Sequence, residues 1–383
     1  MDKTYQTLVI GAGINGLATS YHLSKLGVKN IGLIERFDHG HNRGSSHGQS
    51  RITRSAYINE HYVRLMQIAH QEAWPQLEKD ANTQLIYPTS GCFFGPPGGK
   101  YTSYEKAVTS VGVDVEPLTP QEARKRFPAF RFEGAAGALH DRTAGLVAAS
   151  KTIQSLAQII EQSHIDIHTH TEVLEIDPAQ TPIKITTNKD TFFAEHLIVT
   201  AGPWVANLIP QIKTRVSVAR QTVAYFKLSG PPEQYQVGTF PVWGYLLNKG
   251  DVGYYGLPEF GREGIKLAHH VITPEGDDPD DIPTETPEDA IEGLRQFIKE
   301  QFTAPIERFV DWETCLYTNT SNEDFIIDHH PDNPNIVIGA GFSGHGFKFG
   351  PLTGRILAEL SLNGKSSLPE FENAKHLFSF QKP

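Results

Sequence analysis

The 383-residue sequence predicts an α/β fold, α+β overall, in which a Rossmann-type domain carries an inserted domain built mainly of antiparallel sheet. Three observations predict it. A short apolar run, Leu8-Val9-Ile10, leads through a glycine-rich turn into an amphipathic segment at the N-terminal end. A second run, Asn335-Ile336-Val337-Ile338, leads into another glycine-rich turn near the C-terminal end. Between them lie stretches of alternating apolar and polar residues, as in half-buried antiparallel strands.

The first strand is short, apolar and rich in β-branched residues, as a buried parallel strand should be. Gly11-Ala12-Gly13-Ile14-Asn15-Gly16 follows it, and Ile14, Leu17, Ala18 and Tyr21 then share one helical face, with Gly27 placed to end the helix. A second strand, Ile31 to Ile34, closes on Glu35. Gly11 allows the tight turn, Gly13 lets a pyrophosphate approach the backbone, and Gly16 lets helix and strand pack closely. The open helix N-terminus offers N–H groups and partial positive charge to phosphates. Glu35, nineteen residues beyond Gly16, is spaced to bind a ribose hydroxyl. This unit is expected to bind a dinucleotide.

Further along, residues 41–54 read as a polar loop, and Glu60 to Glu78 as a helix with Leu65, Ile68 and Ala69 on one stripe. Gly91 to Gly95 reads as a strand, and Thr119-Pro120-Gln121-Glu122 as a capping box that starts a helix. Gly145 to Ile160 is expected to be helical. Ile165–Ile176 and Ile183–Phe193 are expected to be strands leading to His196–Gly202, a further strand of the nucleotide-binding part. Val216 to Leu267, with Thr222–Leu228 and Tyr254-Tyr255, reads as sheet. Pro274 to Pro287 reads as an exposed acidic loop, and Thr286-Pro287-Glu288-Asp289 as the cap of a helix bearing Ile291, Leu294 and Ile298. The expected division is a discontinuous nucleotide-binding domain, 1–80, 145–215 and 308–383, and a substrate domain, 81–144 and 216–307.

A formal charge of −10 argues against nucleic acid or an anionic membrane as the main partner. Two cysteines far apart, Cys92 and Cys315, suggest a reducing compartment and no disulfide framework. No apolar run is long enough for a membrane span, no basic leader precedes the first strand, and Phe380-Gln381-Lys382-Pro383 carries no peroxisomal address. Cytoplasm is the expected compartment. The histidines show neither HExxH nor a Cys/His cluster with ligand spacing, so no metal site is expected.

The C-terminal glycine loop, Gly339 to Lys348, again frees backbone N–H donors at a helix start, near Pro351. A second nest of this kind suits a ligand longer than one nucleotide. FAD qualifies, because its reduced flavin is anionic and a helix dipole would stabilise it. A structural β–α turn is the alternative.

The stretches VIGAGINGLA, GSSHGQSRITRSAY, TAGPW, YYG with the later KLAHH, TCLYTNT, DFIID and GAGFSGHGFKFG span nearly the whole chain. Through them the sequence resembles the monomeric sarcosine oxidase and N-methyltryptophan oxidase family of flavoproteins, within the wider D-amino-acid-oxidase-like group. SGHGFKF together with Cys315 is the specific part; the dinucleotide turn alone is shared by many folds. The resemblance implies an FAD-dependent oxidase of secondary amino acids, N-methyl or cyclic, such as sarcosine. It implies hydride transfer to the flavin, an imine product, and oxygen reduced to hydrogen peroxide by a monomeric enzyme.

The resemblance also implies a thioether between FAD and Cys315. Read alone, Cys315 is as readily a small buried hydrophobe, which is the reading for Cys92. To the cofactor the resemblance assigns Gly11, Gly13, Ile14, Asn15, Gly16, Glu35, Arg36, Ser45, Ser50, Arg51 and Val173. It adds Ala201, Gly202, Trp204, Gly341, Gly344, His345, Gly346, Phe347 and Lys348. Arg54 and Lys348 match the residues that hold the substrate carboxylate, and the chemistry suits: a guanidinium grips a carboxylate through two parallel bonds, and a lysine adds a point charge. Arg51 matches a cation near the flavin ring, and Lys266 the lysine that activates oxygen. Tyr255, Tyr317 and His270 match residues lining the substrate cavity; His269 should then point the other way on its strand.

The sequence departs from the family's pattern in the loop, where serine stands in Gly44-Ser45-Ser46-His47, and where Gln49 and Ser50 precede Arg51. It also departs over Phe240–Leu246, where Trp243 and Tyr245 either shape the side-chain pocket or belong to the core. Three alternatives stay open: a dehydrogenase passing electrons to another acceptor, a primary amino acid oxidase, and a flavin-binding protein without turnover. Lys266 weighs against the first, Cys315 against the second, and Arg54, Lys266 and Lys348 together against the third.

Overall fold

Lys3–Ile10 (β1), Ile14–Lys25 (α1) and Ile31–Ile34 (β2) form the expected strand–turn–helix–strand unit in the computed structural model, which describes residues 3–98, 100–247, 252–270, 278–281 and 285–380. After the polar loop, Ser50–Thr53 is β3. The expected helix runs as α2 (Glu60–Ile68), a π turn (Ala69–Ala73) and α3 (Trp74–Ala81). Then come β4 (Ile86–Pro88), β5 (Gly91–Gly95), α4 (Lys100–Val111), β6 (Val115–Leu118), α5 (Pro120–Arg126) and β7 (Gly137–Asp141). The capping box of α5 is formed as expected: Thr119 accepts from the Glu122 N–H, and the Glu122 carboxylate accepts from the Thr119 N–H at 2.8 Å.

The stretch from Gly145 is not helical throughout. Gly145–Ala148 (β8) pairs with β3 and β4, and only then does α6 (Ala149–Gln162) begin. That pairing wins over the helical pattern. Left-handed backbone at His170 (φ 51°) divides the next expected strand into β9 (Asp166–His168) and β10 (Val173–Asp177). A turn divides the following one into β11 (Ile183–Thr187) and β12 (Thr191–Val199), and a short α7 (Val205–Leu208) follows. The remaining elements are β13 (Val216–Leu228), β14 (Val242–Leu246), β15 (Val252–Leu257), β16 (Ile265–His269), α8 (Glu288–Gln301), β17 (Ile306–Thr320), β18 (Ile326–His330), β19 (Asn333–Ala340), α9 (Gly350–Asn363) and α10 (Pro369–Ala374). Helix α8 starts on Pro287 without a side-chain cap; Thr286 supplies only its carbonyl, to the Glu288 N–H. Half of the expected acidic loop, 274–277 and 282–284, lies outside the described residues.

One sheet has the order β10-β11-β12-β1-β2-β9, with β19 on the C-terminal half of β12 and β18 on β19. Strands β1, β2, β9, β12 and β19 are parallel, and β10, β11 and β18 antiparallel. Helix α1 packs on its face together with α6 and α9. The second sheet has the order β17-β13-β16-β15-β14-β5-β7-β6, and every pair except β14–β5 is antiparallel. Strand β17 pairs with β13 over its whole length, so residues 308–320 belong to this sheet and not to the nucleotide-binding part as expected. Two long strands paired from end to end, with register shifts only at Tyr225/Phe226 and Lys227/Leu228, form one sheet. A small sheet, β3-β8-β4, lies beside them.

Candidate active site

Two cavities meet at Arg51 and Cys315. The first, about 380 Å³, runs from the turn after β1 to the C-terminal glycine loop. The second, about 820 Å³, opens between the large antiparallel sheet and the helices α2 and α4. His47, Arg51, Cys315, Tyr317, Gly344 and Phe347 belong to both walls.

The turn of the first cavity explains its glycines. Gly11 has φ 95°, and a Cβ there would lie 2.5 Å from the Thr200 carbonyl oxygen. A Cβ on Gly16 would fall 1.7 Å from the Gly11 oxygen. Gly16 is therefore behind the wall, not on it; it acts through packing. Gly13 caps α1 in extended conformation with no side-chain cap and no acid in the first turn, so the helix end is free to receive phosphate. The Ile14 N–H donates to Ser46 Oγ at 3.0 Å. Glu35 is buried, accepting from the Ala12 and Phe37 N–H groups at 2.8 Å each. Burial pushes its carboxyl up, but His41 and these two N–H groups outweigh it and hold it ionised below the usual range. Val173, Ala201, Gly202 and Trp204 line the wall, and Arg36 pairs with Glu172 at 3.1 Å and Asp280 at 2.8 Å. A turn with no room for side chains, an open helix end and a fixed buried acid fit the dinucleotide half of FAD. Gly341, Gly344, Gly346, Phe347 and Ser45 line the other end.

Where the cavities join, the Arg51 guanidinium donates to the carbonyls of Ser45 (3.0 Å), His47 (2.6 Å) and Ser50 (2.9 Å). Cys315 Sγ lies 3.7 Å from its Nη2. Cys92 differs: it sits in the apolar core and burial pushes its thiol well up. Lys266 donates from Nζ to the Ser50 carbonyl at 3.1 Å and is 3.4 Å from Glu313 Oε1. Burial, then Arg51, lower its pKa to about 8 against the pull of Glu313.

The second cavity holds two more cations. Arg54 is buried, donates to the Ala56 carbonyl and, at 3.4 Å, meets the Tyr104 hydroxyl. Asp141 fixes the chain just after it, accepting from the Ser55 and Ala56 N–H groups at 2.7 and 2.9 Å. Lys348 is also buried; its Nζ donates to the His345 carbonyl at 3.1 Å. Burial, then Arg54 and Arg51, push its pKa well below the usual lysine value. Trp74, at the start of α3, donates from Nε1 to the Lys348 carbonyl at 2.7 Å. The Tyr255 and Tyr317 hydroxyls are 3.0 Å apart. His270 Nε2 is 3.5 Å from Glu323 Oε2, and Lys100 Nζ is 3.1 Å from Glu323 Oε1. Burial raises Glu323, but His270 and Lys100 outweigh it and hold the carboxyl at about 2. His269 is exposed and His270 buried, as the alternation requires.

Ser50, His345 and Lys348 line this second cavity and not the first, where the cofactor assignment expected them. Tyr245 is not on either wall: its ring packs on Phe94 and Phe297. Trp243 borders the second cavity, yet its ring stacks on Phe297 at 5.6 Å in the core beneath α8. The register explains it, since Gly244, not Trp243 or Tyr245, lies opposite Tyr255. Glu313, Glu323, Lys100, Trp74 and Asp141 were not anticipated. For Glu313 a signal existed: two residues before Cys315 on a strand, it shares that side chain's face. Among the described residues, no three His, Cys, Asp or Glu side chains gather to hold a metal, and no helix is long and apolar enough to cross a membrane.

The protein-family model for FAD dependent oxidoreductases matches residues 6–360. The monomeric sarcosine oxidase of a Bacillus species is 33% identical, over 100% of this chain and 97% of its own. The peroxisomal sarcosine oxidase of Mus musculus is 36% identical, over 94% of this chain and 92% of its own. Among solved structures, NikD, an unusual amino acid oxidase essential for nikkomycin biosynthesis, superposes with a TM-score of 0.81 at 21% identity, covering 98% of this chain and 97% of its own. That likeness shows the shared fold. On the family match across nearly its whole length, the chain belongs to the FAD dependent oxidoreductases.

Proposed function

We propose that the protein is an FAD-dependent oxidase of secondary amino acids, N-methyl or cyclic, such as sarcosine. One observation carries the reading: the dinucleotide cavity ends at Cys315 and Arg51, and the cavity it opens onto holds two buried cations, Arg54 and Lys348. Among the described residues neither makes an ion pair, and two such buried cations call for an anionic substrate group. The names of the Bacillus and mouse relatives support the same substrate class.

FAD, when bound, supplies a two-electron acceptor. Arg54 and Lys348 grip the substrate carboxylate and so fix the orientation of the carbon–nitrogen bond. Burial pushes the Tyr255 hydroxyl up to about 12, so it stays protonated and shares a hydrogen bond with Tyr317. That pair gives the amine a neutral polar edge that does not favour its protonation. His270, steadied by Glu323, walls the same side. Aromatic rings from Tyr57, Phe93 and Tyr104 exclude water around Arg54. Arg51 and Lys266 place positive charge at the junction, where it favours a reduced, anionic flavin and negative charge developing on oxygen. The reading includes a thioether through Cys315, oxygen as acceptor, and a monomer working in the cytoplasm.

The test is peroxide release under air from sarcosine, N-methyltryptophan, L-pipecolate, L-proline and primary D- and L-amino acids. We expect one secondary amine to exceed all primary ones. Turnover of primary amino acids alone would overturn the substrate class. Flavin bleaching under nitrogen with no peroxide under air would overturn the oxidase.

A further inference from the structure

Glu313 lies on β17 two residues before Cys315, so both side chains leave the same face of the strand. Its Oε1 accepts from the Tyr225 hydroxyl at 2.6 Å and lies 3.4 Å from Lys266 Nζ. Its Oε2 is 4.0 Å from Arg262 Nη1. Lys266 is a deep residue whose side chain is 4% exposed. An ammonium at that depth has lost its water shell, and either finds a counter-charge or sheds its proton.

The groups facing Lys266 come from several elements. Arg51 on β3 repels it, and the Ser50 carbonyl accepts from it. Tyr225 on β13 presents its ring, centred 6.0 Å from Nζ. His47, in the loop before β3, is driven by burial and by Arg51 down to about 4, so it is neutral near pH 7. From β17 come Cys315 and Glu313. Among these described residues Glu313 supplies the carboxylate, and it opposes the effects of burial and Arg51 on Lys266. Lys266 and Glu313 both line the second cavity beside Arg51 and Cys315.

We propose that Glu313 is a positioning residue for the oxygen-side cation: oriented by Tyr225, its carboxylate anchors Lys266 between itself and Ser50 and keeps the ammonium charged. The inference rests on the reading of Lys266 as the cation that promotes reoxidation. It gives β17 a second task. The strand that carries the thiol for the cofactor also carries the counter-ion for the lysine across from it.

The test compares FAD-loaded wild type with Glu313→Gln, Tyr225→Phe and Lys266→Gln. Sulfite binding, followed by flavin absorbance from pH 6 to pH 10, senses positive charge beside the ring without turnover. Stopped-flow reoxidation by oxygen is read over the same range. In wild type both should weaken as pH rises through about 8. Glu313→Gln should move that inflection down by about one pH unit or more, as expected on losing a neighbouring opposite charge. Reoxidation at pH 8 should then slow by about fivefold or more, with flavin reduction by substrate little changed. Tyr225→Phe should give a smaller shift in the same direction. An unshifted inflection in Glu313→Gln overturns the proposal while leaving Lys266 in its role. Should that variant fail to fold, an unshifted inflection in Tyr225→Phe overturns it. If Lys266→Gln keeps the wild-type inflection in both readouts, the reading of Lys266 itself is wrong.

Discussion

The Arg54 guanidinium carbon and the Lys348 ammonium lie 4.4 and 5.8 Å from the centre of one ring, that of Tyr57. Two buried cations on a shared aromatic wall repel each other, and an anion between them relieves the repulsion. Arg54→Ala should therefore weaken the substrate and not the chemistry. A charge-assisted hydrogen bond contributes about 1.5–3 kcal/mol, so kcat/KM should fall by about tenfold to a hundredfold, mostly through KM. Steady-state kinetics check it. Arg54→Lys should recover only part, because an ammonium cannot make the paired contact.

Lys348 makes binding depend on pH. In the free protein its pKa is pushed well down by burial, Arg54 and Arg51. A bound carboxylate favours the charged form and raises it again. Between the lowered free value and the raised bound value, binding thus takes up a proton, and affinity falls as pH rises, by up to about tenfold per pH unit. Calorimetry of a simple carboxylate such as acetate, in two buffers of different ionisation heat, should show net proton uptake within that interval, located by a pH series. Lys348→Met should abolish it. No uptake in the wild type would sink the idea.

Cys315 is tested by denaturation. Acid precipitation of the wild type should carry the yellow flavin down with the protein, and digestion should give one flavin-bearing peptide containing Cys315. Cys315→Ser should release the flavin to the supernatant. Free flavin from the wild type would mean that the thiol, 3.7 Å from Arg51, is a packing residue after all.

These residues differ in how far the sequence could reveal them. Gly11 and Gly16 were legible because left-handed backbone at Gly11 and the approach of Gly16 to the Gly11 oxygen are demands made within the turn itself. The division of strands was less so: residues 145–148 follow a helical pattern, but their pairing with β3 and β4, far along the chain, decides their state. Trp243 and Tyr245 stayed open between pocket and core for a related reason. Alternation says that a strand has two faces, and only its neighbours say which face meets the cavity. Glu313 and Glu323 gain meaning from partners on other elements, Lys266 on β16 and Lys100 on α4, which no spacing in the chain announces. Arg54 and Lys348 could be assigned from the sequence by resemblance, but not the aromatic wall that makes them interact.

Trp74 is the remaining case of a distant partner. Its indole N–H reaches 274 residues along the chain to the Lys348 carbonyl, in a buried contact of 2.7 Å. It follows the π turn of the 60–81 helix, and such turns are frequent at functional sites. Trp74→Phe keeps an aromatic ring but leaves that carbonyl without its donor, a loss of about 1–3 kcal/mol. Urea unfolding should show that loss as a lower midpoint with an unchanged slope. If Trp74 positions Lys348, KM should also rise several-fold while the flavin spectrum stays unchanged. A lower midpoint with unaltered KM would make Trp74 a core residue alone.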